Sequence, residues 1–202
     1  MNETLWVVIP TATRRQYIPN IIKESGVPKD QIVIVHTLKD NEKYDGVHNI
    51  EDLDELNIHR WWNKGINFAM ERGARYVAVL NDDIQIADNA LQKIVEGMKK
   101  ENAALGYPFP FEGWVSGYCW ILDLSTDARP DERYRWWYGD RDLDFQANML
   151  DCNTSACGVA HVYSKVRHLE GNVNTRDNNT LMELTKKDEE LFFAKWNLQK
   201  AE

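Results

Sequence analysis

Three cysteines among 202 residues are too few for a disulfide scaffold. Cys119, Cys152 and Cys157 are odd in number and lack metal-finger spacing, which excludes a structural zinc site and leads to the expectation of free, buried thiols. With six prolines and eleven glycines, no low-complexity linker, internal repeat or second-domain boundary stands out. Pro10-Thr11-Ala12-Thr13-Arg14-Arg15 contains no glycine, so it is not a glycine-rich phosphate loop. No Lys/Arg run exceeds a pair and the formal net charge is −8, which argues against an electrostatic grip on nucleic acid or anionic lipid. No apolar stretch reaches membrane-spanning length, and Met1 to Trp6 lacks a basic segment leading into an apolar core. A cytoplasmic location is the expectation, and the glycosylation patterns at Asn153 and Asn178 are read as chance.

What is present describes a globular chain: 43% hydrophobic and 28% charged residues, enough for one sizeable core. Leu5 to Ile9 reads as a first strand stopped by Pro10-Thr11. Tyr17 to Ser25 reads as a short helix with Pro19 in its first turn and Gly26 behind it. Ile32 to Val35 is β-branched throughout, as a strand buried on both faces requires, and Val47 to Ile50 suggests a short third strand. Apolar spacing at Ile58, Trp61, Trp62, Ile66, Ala69 and Met70 predicts a helix to Arg72, followed by a strand over Tyr76 to Leu80. Asp88 is placed to cap a further helix bearing Leu91, Ile94, Val95 and Met98. Three crossovers onto a parallel sheet follow, so the fold class is α/β with flanking helices.

The second half reads differently. Leu105 to Gly113 suggests a loop, Trp114 to Leu122 a strand interrupted at Ser116-Gly117, and Arg129 to Arg135 a polar connection. Trp136 to Asp144 is an aromatic and acidic cluster opening a helix through Leu150. Val159 to His168 alternates like one late strand, and Thr185 to Leu198 like an amphipathic helix. The expected organisation is a single domain over 1–202, with a nucleotide-binding half at about 1–101, an acceptor half at about 102–184 and a terminal helix at about 185–198.

Chemistry concentrates at Leu80-Asn81-Asp82-Asp83, where two carboxylates leave a buried strand together. Ligands of open α/β sheets sit at the carboxyl ends of strands, so this pair suits a divalent metal and, through it, phosphates. A turn with a helix cap is the alternative reading.

These features together resemble the family 2-like glycosyltransferases of the GT-A fold. Val7-Val8-Ile9-Pro10-Thr11 is similar to the family's opening strand, Asn63-Lys64-Gly65-Ile66-Asn67 to its Asn-x-Gly helix, and Leu80 to Asp83 takes the place of its DXD motif. Ser116-Gly117-Tyr118-Cys119 resembles the small-residue strand beside the acceptor. Asp131-Glu132 followed by Tyr138 to Leu143 resembles the Asp-Glu and acidic catalytic segment, and His168 the histidine after the last strand. Residue Val35-His36-Thr37 departs from the family, which often carries an acidic nucleobase contact there. The resemblance implies a metal-dependent, inverting transfer of a sugar, a hexose being expected, from a nucleotide-diphosphate donor to an unidentified acceptor hydroxyl. It implies Mn²⁺ or Mg²⁺ on Asp83 and His168, and Asp140 as base with Asp142 beside it. Pro10, Thr11, Arg14, Asn63, Asn81, Asp82 and Arg176 would hold the donor; Gly117, Trp137 and Tyr138 would face the acceptor. The aromatic run at Trp136 to Tyr138 would desolvate Asp140 and raise its pKa.

Duller readings exist for each residue. His168 could cap a strand, Asp140, Asp142 and Asp144 could complement a helix dipole, and the tryptophans could be packing. Among rival functions, a sugar-nucleotide pyrophosphorylase would need the missing glycine-rich loop, and a dehalogenase-type phosphatase an Asp-x-Asp ending the first strand. A non-catalytic nucleotide- or carbohydrate-binding module on the same fold is the third rival.

Overall fold

In the computed structural model, which describes residues 4–39, 42–109, 117–169 and 178–199, nine strands and five helices follow one another. The strands are β1 (Leu5–Thr11), β2 (Ile32–His36), β3 (His48–Glu51), β4 (Tyr76–Leu80), β5 (Ile84–Ala87), β6 (Leu105–Phe109), β7 (Cys119–Asp123), β8 (Val159–Tyr163) and β9 (Lys165–His168). The helices are α1 (Ile18–Glu24), α2 (Ile58–Met70), α3 (Ala90–Glu101), α4 (Gly139–Met149) and α5 (Asn179–Lys195). Seven strands form one sheet in the order β3-β2-β1-β4-β7-β6-β8, while β5 and β9 make a separate antiparallel ribbon. Within the main sheet only β7 runs against its neighbours.

The central strands read as unbroken apolar runs because both faces are covered. Val7, Ile9, Ile32, Ile34, Ala78 and Leu80 face α1 and α3, whereas Val8, Val33, Val35, Val77 and Val79 face α2 and α4. Each such buried Val, Ile or Leu contributes about 1.5–3 kcal/mol relative to exposure, so the two-sided sheet dominates the hydrophobic stabilisation. Helix α2 starts where the Asn57 side chain accepts the Arg60 N–H at 2.9 Å. It can lie close on β1 because Gly65 has no side chain: a Cβ there would stand 2.2 Å from Val8 Cγ1.

Several sequence expectations change. Leu105 to Phe109 is strand β6 rather than loop, and 110–116 lie outside the described residues, so β7 is described only from Cys119. The late strand is two: β8 joins the main sheet and β9 crosses to β5, with Ser164 between them. Asn89, not Asp88, occupies the cap of α3, in a left-handed conformation and without a side-chain cap bond. Helix α5 begins at Asn179, capped by Asn178 accepting the Leu181 N–H. Cys152 and Cys157 are joined in a disulfide that closes the turn after α4, contrary to the expectation of three free thiols; Cys119 is free and buried. The turn brings the Cα atoms to 5.1 Å, a separation that a disulfide spans. Among the described residues, no helix is long and apolar enough to cross a membrane.

Candidate active site

The turn between β4 and β5 carries Asn81, Asp82 and Asp83. It is pinned by backbone bonds from Asn81 N–H to Tyr118 O (2.9 Å) and from Leu169 N–H to Asp83 O (2.8 Å). The β5–β9 ladder sets Ile84 opposite His168, which carries the imidazole to the neighbouring aspartate. His168 Nε2 lies 3.0 Å from Asp83 Oδ1, and the Arg14 guanidinium donates to Asp83 Oδ2. Asp83 is fully buried, so this pairing is what makes a charge there tolerable. Asp82 accepts from Thr11 Oγ1 at 2.9 Å; burial, and then the charge of Asp83, push its carboxyl above the usual range. The ring of Tyr118 stacks on His168 with centroids 5.4 Å apart.

Thr11, Arg14, Asp82, Asp83 and His168 are thus brought together, with Pro10 and Asn81 adjoining them along the chain. Asn63 is committed elsewhere, donating to Pro130 O at 2.8 Å and Glu132 Oε1 at 2.9 Å. Arg176 lies outside the described residues. Among the described residues no three His, Cys, Asp or Glu side chains form a group able to hold a metal unaided. Asp83 and His168 nevertheless offer one hard oxygen and one imidazole nitrogen. This donor pair fits Mg²⁺ or Mn²⁺ when phosphate oxygens and water complete the shell.

The second centre is the start of α4. Tyr138 enters it in the left-handed region, φ 67°, and Gly139 is required by crowding: a Cβ there would lie 1.9 Å from His59 Nε2. His59 donates from Nδ1 to the Tyr134 carbonyl at 2.8 Å, leaving Nε2 with its lone pair, and burial pushes its pKa down to about 4. Asp140 is buried; burial pushes it up to about 6, against the lowering effect of the backbone N–H groups of Arg141 (2.9 Å), Asp140 and Gly117 and of the Arg141 charge. Gly117 lies against it, since a Cβ on Gly117 would sit 3.4 Å from Asp140 Oδ2 and 3.8 Å from Trp62.

Asp142, two residues on, is in another situation. It accepts from Tyr134 Oη (3.1 Å), Gln146 Nε2 (2.6 Å), Lys195 Nζ (2.8 Å) and Trp196 Nε1 (2.8 Å). Its oxygens are fully engaged in fastening α5 to α4. Asp188 of α5 extends the clasp, accepting the backbone N–H groups of Arg135, Trp136 and Trp137 at 2.9, 2.7 and 2.8 Å. Tyr138 belongs to the same clasp: its hydroxyl donates to Glu189 and its ring packs 5.3 Å from Phe192. Trp137 is 37% exposed. Asp140 therefore has against it Gly117, which the sequence places on the acceptor side, whereas Tyr138 turns to α5.

Solved structures of Staphylococcus aureus TarS share this architecture. One TarS structure matches with a TM-score of 0.58 at 12% identity, over 90% of this chain and 38% of that one. The fold is GT-A-like. TarS 1–349 gives 0.60 at 11%, covering 91% and 65%, and TarS 1–349 in complex with UDP gives 0.55 at 12%, covering 90% and 64%. At such identities the likeness concerns the fold alone, and the chain spans 38% to 65% of the lengths of these structures. No family model matches the chain, and no curated protein matches it in sequence.

The sequence pointed to Asp82, Asp83 and His168 but missed the Arg14 bond to Asp83, the Thr11 link to Asp82, and the anchoring by Asp188, Lys195 and Trp196. Long-range partners of this kind carry no local pattern.

Proposed function

We propose that the chain is a nucleotide-sugar transferase that moves a hexosyl group from a nucleotide diphosphate to an acceptor hydroxyl by inverting displacement. One observation carries this reading: consecutive residues join the two centres. Tyr118 touches Asn81 and His168 on one side, and Gly117 lies against Asp140 on the other. A phosphate-facing acidic turn and a carboxylate with a raised pKa thus share one strand entrance, the arrangement that positioning a donor beside a base requires. The GT-A-like fold, and the UDP held by one TarS structure, are in keeping with a nucleotide-diphosphate donor.

In this reading Thr11, Arg14 and Asp82 line the diphosphate, with Pro10 and Asn81 shaping the loops beside it. Asp83 and His168 would hold Mn²⁺ or Mg²⁺; when bound, the ion supplies Lewis-acid stabilisation of the leaving diphosphate. Arg14, seated on Asp83, provides a fixed cation at the same place. The acceptor oxygen forms its bond to the anomeric carbon as the bond from that carbon to the diphosphate oxygen breaks, and the electron pair leaves with the diphosphate. Asp140 takes the acceptor proton. A carboxyl raised to about 6 is ionised at neutral pH yet more basic than an ordinary aspartate. Asp142 orients α4 rather than joining the proton transfer.

Calorimetric titration with UDP, with and without Mn²⁺, tests this reading. Binding strengthened by Mn²⁺ is expected; no binding under either condition would overturn it.

A further inference from the structure

Strands β6 and β7 are laddered over two pairs only, Leu105 with Leu122 and Gly106 with Ile121. The next residues along, Tyr107 and Trp120, fall on the same face of the sheet, beneath α2 and α4. Both are buried, at 1% and 0% exposure, yet among the described residues neither Tyr107 Oη nor Trp120 Nε1 has a hydrogen-bond partner. A buried donor left unpaired gives up its hydration without return, so two on adjoining strands need a reason. Their surroundings supply it. Trp120 meets Trp62 edge-on at 5.2 Å, and Trp62 and Asp140 both border Gly117. Burial, and after it the charges of Asp140 and Asp144, hold the Tyr107 phenol well above the ordinary value.

We propose that Tyr107 Oη and Trp120 Nε1 are donors kept for a sugar hydroxyl, and that with Asp140 they form a sugar subsite at the fork of β6 and β7. The chemistry is complementary: two donors with no acceptor among the described residues lie on the sheet face that α4, the helix of Asp140, covers, and a hydroxyl both accepts and donates. This proposal rests on the transferase reading and adds to it the residues that read the sugar.

The test uses ¹⁵N-labelled protein, with the Trp120 indole N–H assigned through Trp120→Phe, and adds UDP-glucose or free glucose. Expected is a shift of the Trp120 indole signal in the parent, about tenfold weaker sugar binding in Tyr107→Phe, as the loss of one hydrogen bond commands, and a melting temperature for that variant no lower than the parent's. Removing an unpaired hydroxyl does not destabilise, whereas removing a structural one does. An indole signal unmoved by either sugar would overturn the subsite, as would a Tyr107→Phe variant that melts several degrees lower and binds sugar normally. UDP binding measured alongside separates the two claims. UDP retained with an unmoved indole strikes only the subsite; UDP lost in the parent strikes the transferase reading as well.

Discussion

Asp83 and His168 stand 85 residues apart in the chain and meet at 3.0 Å, Nε2 to Oδ1. The contact exists because β9 pairs with β5 directly after the acidic turn, and it takes place where Arg14 occupies the other carboxylate oxygen. Since no third ligand-bearing side chain joins them among the described residues, divalent metal should bind weakly alone and much more tightly with a nucleotide diphosphate. Asp83→Asn should remove the Mn²⁺-dependent part of UDP affinity in calorimetry, and His168→Ala should weaken it less. Unchanged metal dependence in Asp83→Asn would remove that residue from the site.

The two aspartates of α4 should part company on substitution. At Asp140 the folded-state pKa is raised, to about 6, so the native state holds its proton longer than the unfolded chain. Ionisation then costs stability: the penalty is absent below about pH 4, grows as pH rises to about 6, and amounts to about 3 kcal/mol above that. Asp140→Asn should therefore melt at or above the parent's temperature at pH 7.5 and match it near pH 4, while transfer falls by about 10²-fold or more. Asp142→Asn should do the reverse in stability, costing about 1–3 kcal/mol, because Tyr134 Oη, Gln146 Nε2 and Trp196 Nε1 lose a carboxylate acceptor, while Lys195 keeps Asp131 at 2.9 Å. Equal melting of the two variants would contradict this division.

Rate should follow the ionisation of Asp140. Because the base works deprotonated, kcat/KM should rise with pH through an apparent pKa near 6 and level off above it. A rise centred near 4, where an ordinary aspartate titrates, would show that another group is the base.

Gly139 and His59 compete for one volume. Gly139→Ala should cost about 1–3 kcal/mol or more by overpacking, since its Cβ would lie 1.9 Å from His59 Nε2. Adding His59→Ala should recover part of that loss, giving a coupling energy above about 0.5 kcal/mol in a double-mutant cycle. Strict additivity would mean that α4 shifts instead.

How much of this could be read beforehand varies by element. The strands β1, β2 and β4 and helix α2 were legible because their apolar spacing is unambiguous, and the acidic turn was legible because it ends such a strand. Strand β6 was hidden by Gly106 and Pro108, which resemble loop residues. Its ladder with β7 ends at Gly106, so Pro108 leaves no bond to β7 unmade. The β5–β9 ribbon was hidden by its length of four residues per strand. The difference between Asp140 and Asp142 could not be read at all, because it is made by Lys195 and Trp196 more than fifty residues downstream. The disulfide likewise depends on the turn geometry after α4 and not on cysteine spacing.

Release of UDP from UDP-sugars tests the central claim most directly, in the presence of Mn²⁺, with the parent and Asp140→Asn side by side. The account predicts release by the parent, rising with pH through about 6, and release about 10²-fold slower in the variant with UDP affinity unchanged. Equal rates in the two proteins, or tight UDP binding with no release from any UDP-sugar, would contradict it and leave a binding module on a transferase-like fold.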